Sequence, residues 1–97
     1  MSDDWDQIGF VISSQYRLTV LDRLSESPAT PSQIASDESV GIASVSHALS
    51  SLRERGLVDL LVSEDRRKGR VYGITEDGAD IWAEITRQGL ADDPDQA

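Results

Sequence analysis

The segment from Ile42 to Val62 constrains the fold most, because an amphipathic helix, a helix stop and a strand follow one another directly. At about 100° per residue, the apolar side chains of the helical part fall within about 80° of one another. These side chains are Ile42, Val45, Leu49 and Leu52. Gly56 is a typical residue just after a helix end, and the apolar run 57–62 is typical of a strand. The segment therefore predicts a helix over 42–55 with one buried face, followed at once by a strand.

The opposite face of this helix carries small and hydrogen-bonding side chains. They are Ala43, Ser44, His47, Ser51 and Glu54, with Ser50 at the margin. Such a face lets the helix backbone approach another surface closely while its donors and acceptors stay free, as the major groove of DNA requires. A solvated serine-rich surface satisfies the same pattern. The segment alone leaves both interpretations open.

Two further helices are predicted ahead of this segment. Ser13 or Ser14 caps a helix that runs to about Ser25, and residues 5–12 are apolar enough to pack although their element type stays open. Thr30 and Gln33 form a capping-box pattern around Pro31, which predicts a short helix ending near residue 38. Residues 39–41 then form the turn into the third helix.

A hairpin and a last helix follow. Strands over 57–63 and 70–75 flank the loop 64–69, and Thr75 caps a helix that reaches about Gln88. Residues 1–90 are expected to form one domain, and residues 91–97 an acidic, disordered tail. The predicted fold class is α+β, mainly α, with the topology of a winged helix-turn-helix and a two-stranded β-hairpin wing.

The charge distribution singles out the hairpin. The chain has 18 acidic and 9 basic residues, a net charge of −9, yet four bases lie together in and beside the hairpin loop. They are Arg66, Arg67, Lys68 and Arg70. A basic hairpin tip suits phosphate binding, and a solvated tip is the alternative. An acid-rich, Lys-poor composition is typical of proteins that work in concentrated salt, although an ordinary protein with two acidic ends also fits.

Several kinds of function are not expected. The sequence has no cysteine, a single histidine and no glycine-rich phosphate loop, so neither a metal site, a bound cofactor nor an enzyme is predicted. There is no run of about 18 apolar residues, so no membrane span is predicted. The N-terminal residues are acidic and unlike a signal peptide, which makes a cytoplasmic location the expectation.

Four parts of the chain resemble bacterial and archaeal transcription regulators. Residues 45–58 resemble the recognition helix of ArsR-type proteins, and residues 65–78 resemble the wing and following helix start of MarR-type proteins. With 14–17 and 30–35 added, the whole pattern is similar to small archaeal, and more narrowly haloarchaeal, winged-helix regulators. The resemblance implies binding to double-stranded DNA, with repression as the expected mode of regulation.

The resemblance also assigns residues. Base-reading positions fall on Ser44, Ser46, His47 and Ser50, although the helical wheel turns Ser46 toward the packed side and places Ser51 on the exposed face. Phosphate and minor-groove contacts fall on the four hairpin bases. Arg53 and Arg55 either reach phosphates or favour the negative end of the helix. Without cysteines or further histidines, metal sensing is not expected, and the short terminal elements do not predict an enclosed effector pocket.

Apolar residues near both ends of the chain suggest a homodimer. They are Trp5, Ile8, Phe10, Ile81, Trp82 and Ile85, of which Trp5, Phe10, Trp82 and Ile85 are the expected interface. Alternatively, they complete the core of a single chain. The rival function is that of a winged helix that binds protein rather than DNA.

Overall fold

A computed structural model describes residues 2–62 and 70–90, with side chains from 5–61 and 70–90. Its elements in chain order are α1 Ser2–Ile12, α2 Gln15–Glu26, α3 Pro31–Glu38, α4 Ile42–Glu54, β1 Val58–Val62, β2 Val71–Ile74 and α5 Glu76–Arg87. This order confirms the predicted mainly helical winged helix-turn-helix. The segment whose type the sequence left open, residues 5–12, belongs to helix α1.

The helix starts follow local capping signals. Ser14 caps α2 by accepting a hydrogen bond from the Arg17 N–H at 3.3 Å. At the start of α3, Thr30 and Gln33 form the complete capping box, with hydrogen bonds of 3.1 and 2.9 Å. Thr75 caps α5 by accepting from the Gly78 N–H at 2.9 Å. These caps satisfy backbone donors that no helical carbonyl reaches, so each helix begins where the sequence predicts.

The two strands are antiparallel and pair from Val58 with Ile74 to Leu60 with Tyr72, with a register shift between Leu60 and Val62. Leu61 lies at this irregularity and is 54% exposed. An isolated bridge adds Ala29 to the outer side of β2, through hydrogen bonds with Tyr72 of 3.0 and 2.9 Å. The α2–α3 connection is therefore attached to the hairpin, an attachment that the sequence analysis did not predict.

One hydrophobic core joins all the helices and the root of the hairpin. Its members are Ile8, Val11, Val20, Leu21, Leu24, Ala29, Ile34, Val45, Ala48, Leu49, Leu52, Leu57, Val58, Ile81 and Ile85. Helix α4 packs against α2 and α3, and α5 packs against α1 and α2. No helix among the described residues is long and apolar enough to cross a membrane.

The core corrects part of the expected dimer interface. Ile85 is 0% exposed, and Ile8 and Ile81 are also buried, so these side chains complete the core of the single chain rather than a surface that needs cover. Their burial follows from the packing of α5 onto α1 and α2. Trp5 is 59% exposed, whereas Phe10 and Trp82 are partly buried against the core.

The sequence analysis also placed Ile42 on the buried face of α4, and that placement is wrong. Ile42 is 51% exposed, while Ala48 is buried at 2%. The buried residues Val45, Ala48, Leu49 and Leu52 therefore define a face centred further round the helix than the predicted one. Helix α4 packs against both α2 and α3 on the side that carries these buried residues, and Ile42 lies in the first turn of the helix.

Candidate nucleic-acid interface

Helices α3 and α4 form the helix-turn-helix that the sequence predicts. Helix α3 ends at Ser39, which adopts a left-handed conformation with φ of 57°, and the Val40 N–H then donates to the Ala35 carbonyl at 3.1 Å. Gly41 precedes α4 without a side-chain cap. This tight turn lets Ile34 of α3 and Leu49 of α4 share the core. The opposite side of α4 is thereby left facing outward.

The outward face of α4 exposes small and polar side chains. We call Ala43, Ser46, His47 and Ser50 the reading face, because all four are exposed on the side away from the core. Ser46 was expected to turn toward the packed side, and the structure shows instead that it is exposed. The cause is the same as for Ile42. The buried face includes Ala48, so the outward face is centred closer to Ser46 and Ser50 than the sequence predicts.

Ser44 and Ser51 lie on one flank of α4 rather than at its centre. Both are partly buried, and the Ser51 hydroxyl donates to the His47 carbonyl at 3.1 Å. Ser51 was expected on the exposed face, so its placement is a correction. Ser44 lines a groove of about 310 Å³ between α4 and the start of α2, together with Ser14, Tyr16, Arg17, Ala43, His47 and Ala48.

The arginines at the end of α4 have different surroundings. Arg53 forms an exposed ion pair with Asp59 of β1, with 3.6 Å between Nε and Oδ1. Arg55 donates to the Gln7 side chain at 3.1 Å, and Gln7 in turn donates to the Arg55 carbonyl at 3.0 Å. The carboxylate of Asp59 offsets the charge of Arg53, whereas Arg55 joins the end of α4 to α1.

Phe10 lies between two arginines, an arrangement that the sequence analysis missed. The guanidinium carbon of Arg17 is 4.0 Å from the ring centroid, and that of Arg55 is 4.1 Å from it. We call Arg17, Phe10 and Arg55 the arginine clamp. No local sequence signal reveals it, because Phe10 and Arg55 are far apart in the chain and meet only when α1 packs near the end of α4.

The hairpin is fixed at its root to the end of α4. The Thr75 hydroxyl donates to the Gly56 carbonyl at 2.6 Å, and the Thr75 N–H donates to the Leu57 carbonyl at 3.0 Å. Gly56 has a φ of 77°, a conformation that favours glycine and turns the chain from α4 into β1. The root of the hairpin is thus joined to the end of α4 by these two hydrogen bonds.

Of the four bases predicted for the wing, the structure places one. Arg70 is exposed immediately before β2. Arg66, Arg67 and Lys68 lie outside the described residues, as does the tail 91–97. Among the described residues, no cluster of three or more histidine, aspartate or glutamate side chains has a geometry that could hold a metal ion.

The chain is similar in structure to several solved regulators. ZitR from Lactococcus lactis matches with a TM-score of 0.70 and 21% identity, over 79% of this chain and 53% of that one. NMB1585, a MarR family regulator from Neisseria meningitidis, matches with a TM-score of 0.69 and 26% identity, over 79% and 55% of the two chains. FabT from Streptococcus pneumoniae, solved in complex with DNA, matches with a TM-score of 0.67 and 25% identity, over 80% and 55%.

These matches confirm the winged-helix fold. The present chain spans little more than half the length of each of the three solved proteins. Comparison with curated proteins found no match. Residues 5–91 match the family described as the HVO_A0261 N-terminal domain. The chain therefore belongs to the HVO_A0261 N-terminal domain family.

Proposed function

We propose that the protein is a sequence-specific DNA-binding transcription regulator that acts as a repressor. The observation that carries the proposal is the reading face of α4, where small polar side chains and one imidazole are exposed on a helix whose other side is locked into the core. A helix of this kind enters the major groove and contacts base edges. The MarR-family likeness, which includes a regulator solved with DNA, supports the same function.

The residues divide by role. Ser46, His47 and Ser50 of the reading face are proposed to contact bases, with Ser44 and Ser51 on the flank reaching the groove wall. Arg66, Arg67, Lys68 and Arg70 are proposed to contact phosphates and the minor groove, and Arg53 to contribute once its pair with Asp59 opens. The phosphate contacts supply affinity for any DNA, whereas the base contacts supply sequence choice.

The assembly is proposed to be a homodimer in the cytoplasm of a salt-adapted archaeon, with features of both ArsR-like and MarR-like regulators. Of the expected interface residues, Trp5 at 59% exposure and the partly buried Phe10 and Trp82 remain candidates. A symmetric dimer would set the spacing of two DNA half-sites. Light scattering in concentrated KCl tests this point, and a single species at the monomer mass of 10.6 kDa would contradict it.

The function is tested by selecting duplexes from a randomised pool in concentrated KCl and comparing the enriched duplex with a scrambled one. We expect His47→Ala to reduce the preference for the enriched duplex by about tenfold, because one lost base contact is worth roughly 1–3 kcal/mol. Replacing Arg66, Arg67, Lys68 and Arg70 with Gln should instead weaken binding to both duplexes equally.

Thr86→Ala on α5 is the matched control, since Thr86 is exposed on a helix that packs against α1 and α2. It should leave both affinities unchanged. If the wild-type protein enriches no duplex at any KCl concentration and co-purifies with a protein partner, the protein-binding winged helix becomes the correct function. If the wing variant binds as the wild type does, the wing has no role in DNA binding.

A further inference from the structure

The arginine clamp lies at the edge of the reading face. Arg17 lines the same groove as Ser44 and His47, although it belongs to the first turn of α2 and not to the helix-turn-helix. When α4 sits in the major groove, the phosphates that border the groove lie along the flanks of the helix. The flank that carries Ser44 is the one beside Arg17.

The Arg17 guanidinium is held rigidly. Its Nε donates to the Phe10 carbonyl at 2.7 Å, its Nη2 donates to the Ser13 hydroxyl at 2.8 Å, and the Phe10 ring covers one face. Its Nη1 has no hydrogen-bond partner among the described residues. A side chain already fixed in this way loses little conformational entropy when it binds a ligand, and a planar guanidinium is well suited to phosphate.

Arg17 also forms no ion pair with any carboxylate whose side chain the structure describes. Within residues 5–61 and 70–90, Arg23, Arg53 and Arg87 each pair with a carboxylate, whereas Arg17 has no carboxylate within 4.0 Å. The chain has twice as many acidic as basic residues, yet the contacts described for Arg17 are an aromatic ring and two uncharged oxygens. Its positive charge can therefore attract an anionic partner.

We propose that Arg17 is a DNA-phosphate contact beside the recognition helix, with Phe10 as the residue that positions its guanidinium. This inference rests on the proposed DNA-binding function and adds a cation from outside both the recognition helix and the wing. It also gives α1 a part in DNA binding, because Phe10 belongs to that helix. The contact is to the sugar–phosphate backbone and therefore independent of base sequence.

The test measures how the dissociation constant of the full chain depends on KCl, with a fluorescent random-sequence duplex of about 20 base pairs as the probe. Each phosphate contact contributes about 0.9 to the slope of log affinity against log salt. We expect Arg17→Gln to reduce the magnitude of that slope by about 1 for each bound chain, with equal losses on random and enriched duplexes.

Arg87→Gln is the matched control, because it removes one positive charge from an exposed position on α5. It should leave the slope close to that of the wild type. Arg17→Lys and Phe10→Leu should keep the slope and weaken binding several-fold, because the charge remains while the guanidinium geometry or its support is lost. A wild-type slope for Arg17→Gln, or an equal loss in Arg87→Gln, overturns the inference.

A second measurement observes Arg17 directly in the wild-type protein, and the Arg17→Lys variant serves only to assign its resonance. The Arg17 Nε–Hε resonance, assigned by its loss in Arg17→Lys, should shift when the random duplex is added and return when KCl is raised. An unchanged resonance with saturating duplex overturns the phosphate contact. If the wild-type protein binds no duplex at all, the proposed DNA-binding function fails, whereas binding without a contribution from Arg17 refutes this inference alone.

Discussion

At the scale of single residues, Gly78 shows how closely α5 approaches the hairpin. A Cβ atom at this position would lie 2.0 Å from the Leu57 carbonyl oxygen and 2.8 Å from Cγ1 of Ile74. The carbonyl belongs to the backbone that enters β1 and accepts the Thr75 N–H, so it cannot move without disturbing that contact. Only glycine allows α5 to begin this close to the strand.

We expect Gly78→Ala to lower the free energy of unfolding by about 2 kcal/mol, because overpacking against backbone forces both elements to shift. Gly9→Ala in α1 is the control, since nothing lies within 4 Å of the place a Cβ atom would take there and alanine favours a helix by up to about 1 kcal/mol. Urea unfolding of both variants measures the two effects. Equal stability of Gly78→Ala and the wild type would show that α5 leaves room for a Cβ atom beside the Leu57 carbonyl.

At the scale of elements, α2 and the end of α3 bring like charges together. The pKa of Glu38 is raised by partial desolvation and by the nearby carboxylates of Asp22, Glu26 and Asp37, which outweigh the opposing effect of Arg23. The pKa of Asp22 is raised by partial desolvation and by Glu26. Both groups therefore bind protons more tightly in the folded state than in the unfolded chain, and their ionised forms oppose folding at neutral pH.

We expect Glu38→Gln to stabilise the fold at pH 7, by no more than about 0.5 kcal/mol because the site is close to solvent. The pKa of Glu38 in the folded state lies above its value in the unfolded chain. The destabilisation by ionised Glu38 therefore develops as pH rises through the interval between these two pKa values. The gain of the variant should accordingly shrink as pH falls toward the ordinary carboxyl range. Thermal unfolding from acidic to neutral pH measures it.

Glu84→Gln is the matched comparison, because the pKa of Glu84 is shifted in the opposite direction to that of Glu38. Hydrogen bonds from Arg87 and Gln88 lower the pKa of Glu84, so its ionised form favours the folded state at neutral pH and the benefit is lost as pH falls. This variant should therefore not be stabilised at pH 7. A Glu38→Gln variant that is less stable than the wild type at pH 7 would contradict the repulsion between α2 and α3.

At the scale of the whole molecule, the net charge of −9 opposes folding, because the folded chain holds its carboxylates closer together than the unfolded chain does. Screening weakens this repulsion, since the Debye length falls from about 10 Å at 0.1 M salt to about 3 Å at 1 M. The same screening would weaken the phosphate contacts proposed for the wing and for Arg17. Under the proposed function, salt therefore acts on stability and on DNA affinity in opposite directions.

We expect the thermal midpoint to rise as KCl is raised from about 0.1 to about 1 M, a range over which screening becomes nearly complete for surface charges. Replacing Asp3, Asp4, Asp92 and Asp93 with Asn changes the net charge from −9 to −5, and this variant should show a smaller rise. Differential scanning calorimetry measures both midpoints. A midpoint that does not respond to KCl would show that charge repulsion contributes little to the stability of this fold.

Much of the fold follows from signals between near neighbours in the chain. Thr30 with Gln33, Ser14 with Arg17, and Thr75 with Gly78 are capping pairs three residues apart, so the sequence alone predicts where α2, α3 and α5 begin. The apolar repeat of α4 and the glycine at position 56 likewise predict an amphipathic helix followed directly by a strand. The family resemblance, rather than these local signals, assigns base reading to His47 and the neighbouring serines, and that assignment stays a prediction.

Tertiary structure alone fixed the exact rotation of α4, which buries Ala48 and leaves Ile42 half exposed. It also decided that Ile85 belongs to the core, that Ala29 pairs with Tyr72, and that Phe10 meets Arg17 and Arg55. A capping bond is fixed by backbone geometry within one helical turn. A packed face or a stacked ring instead depends on partners brought together from distant parts of the chain, which local sequence does not encode.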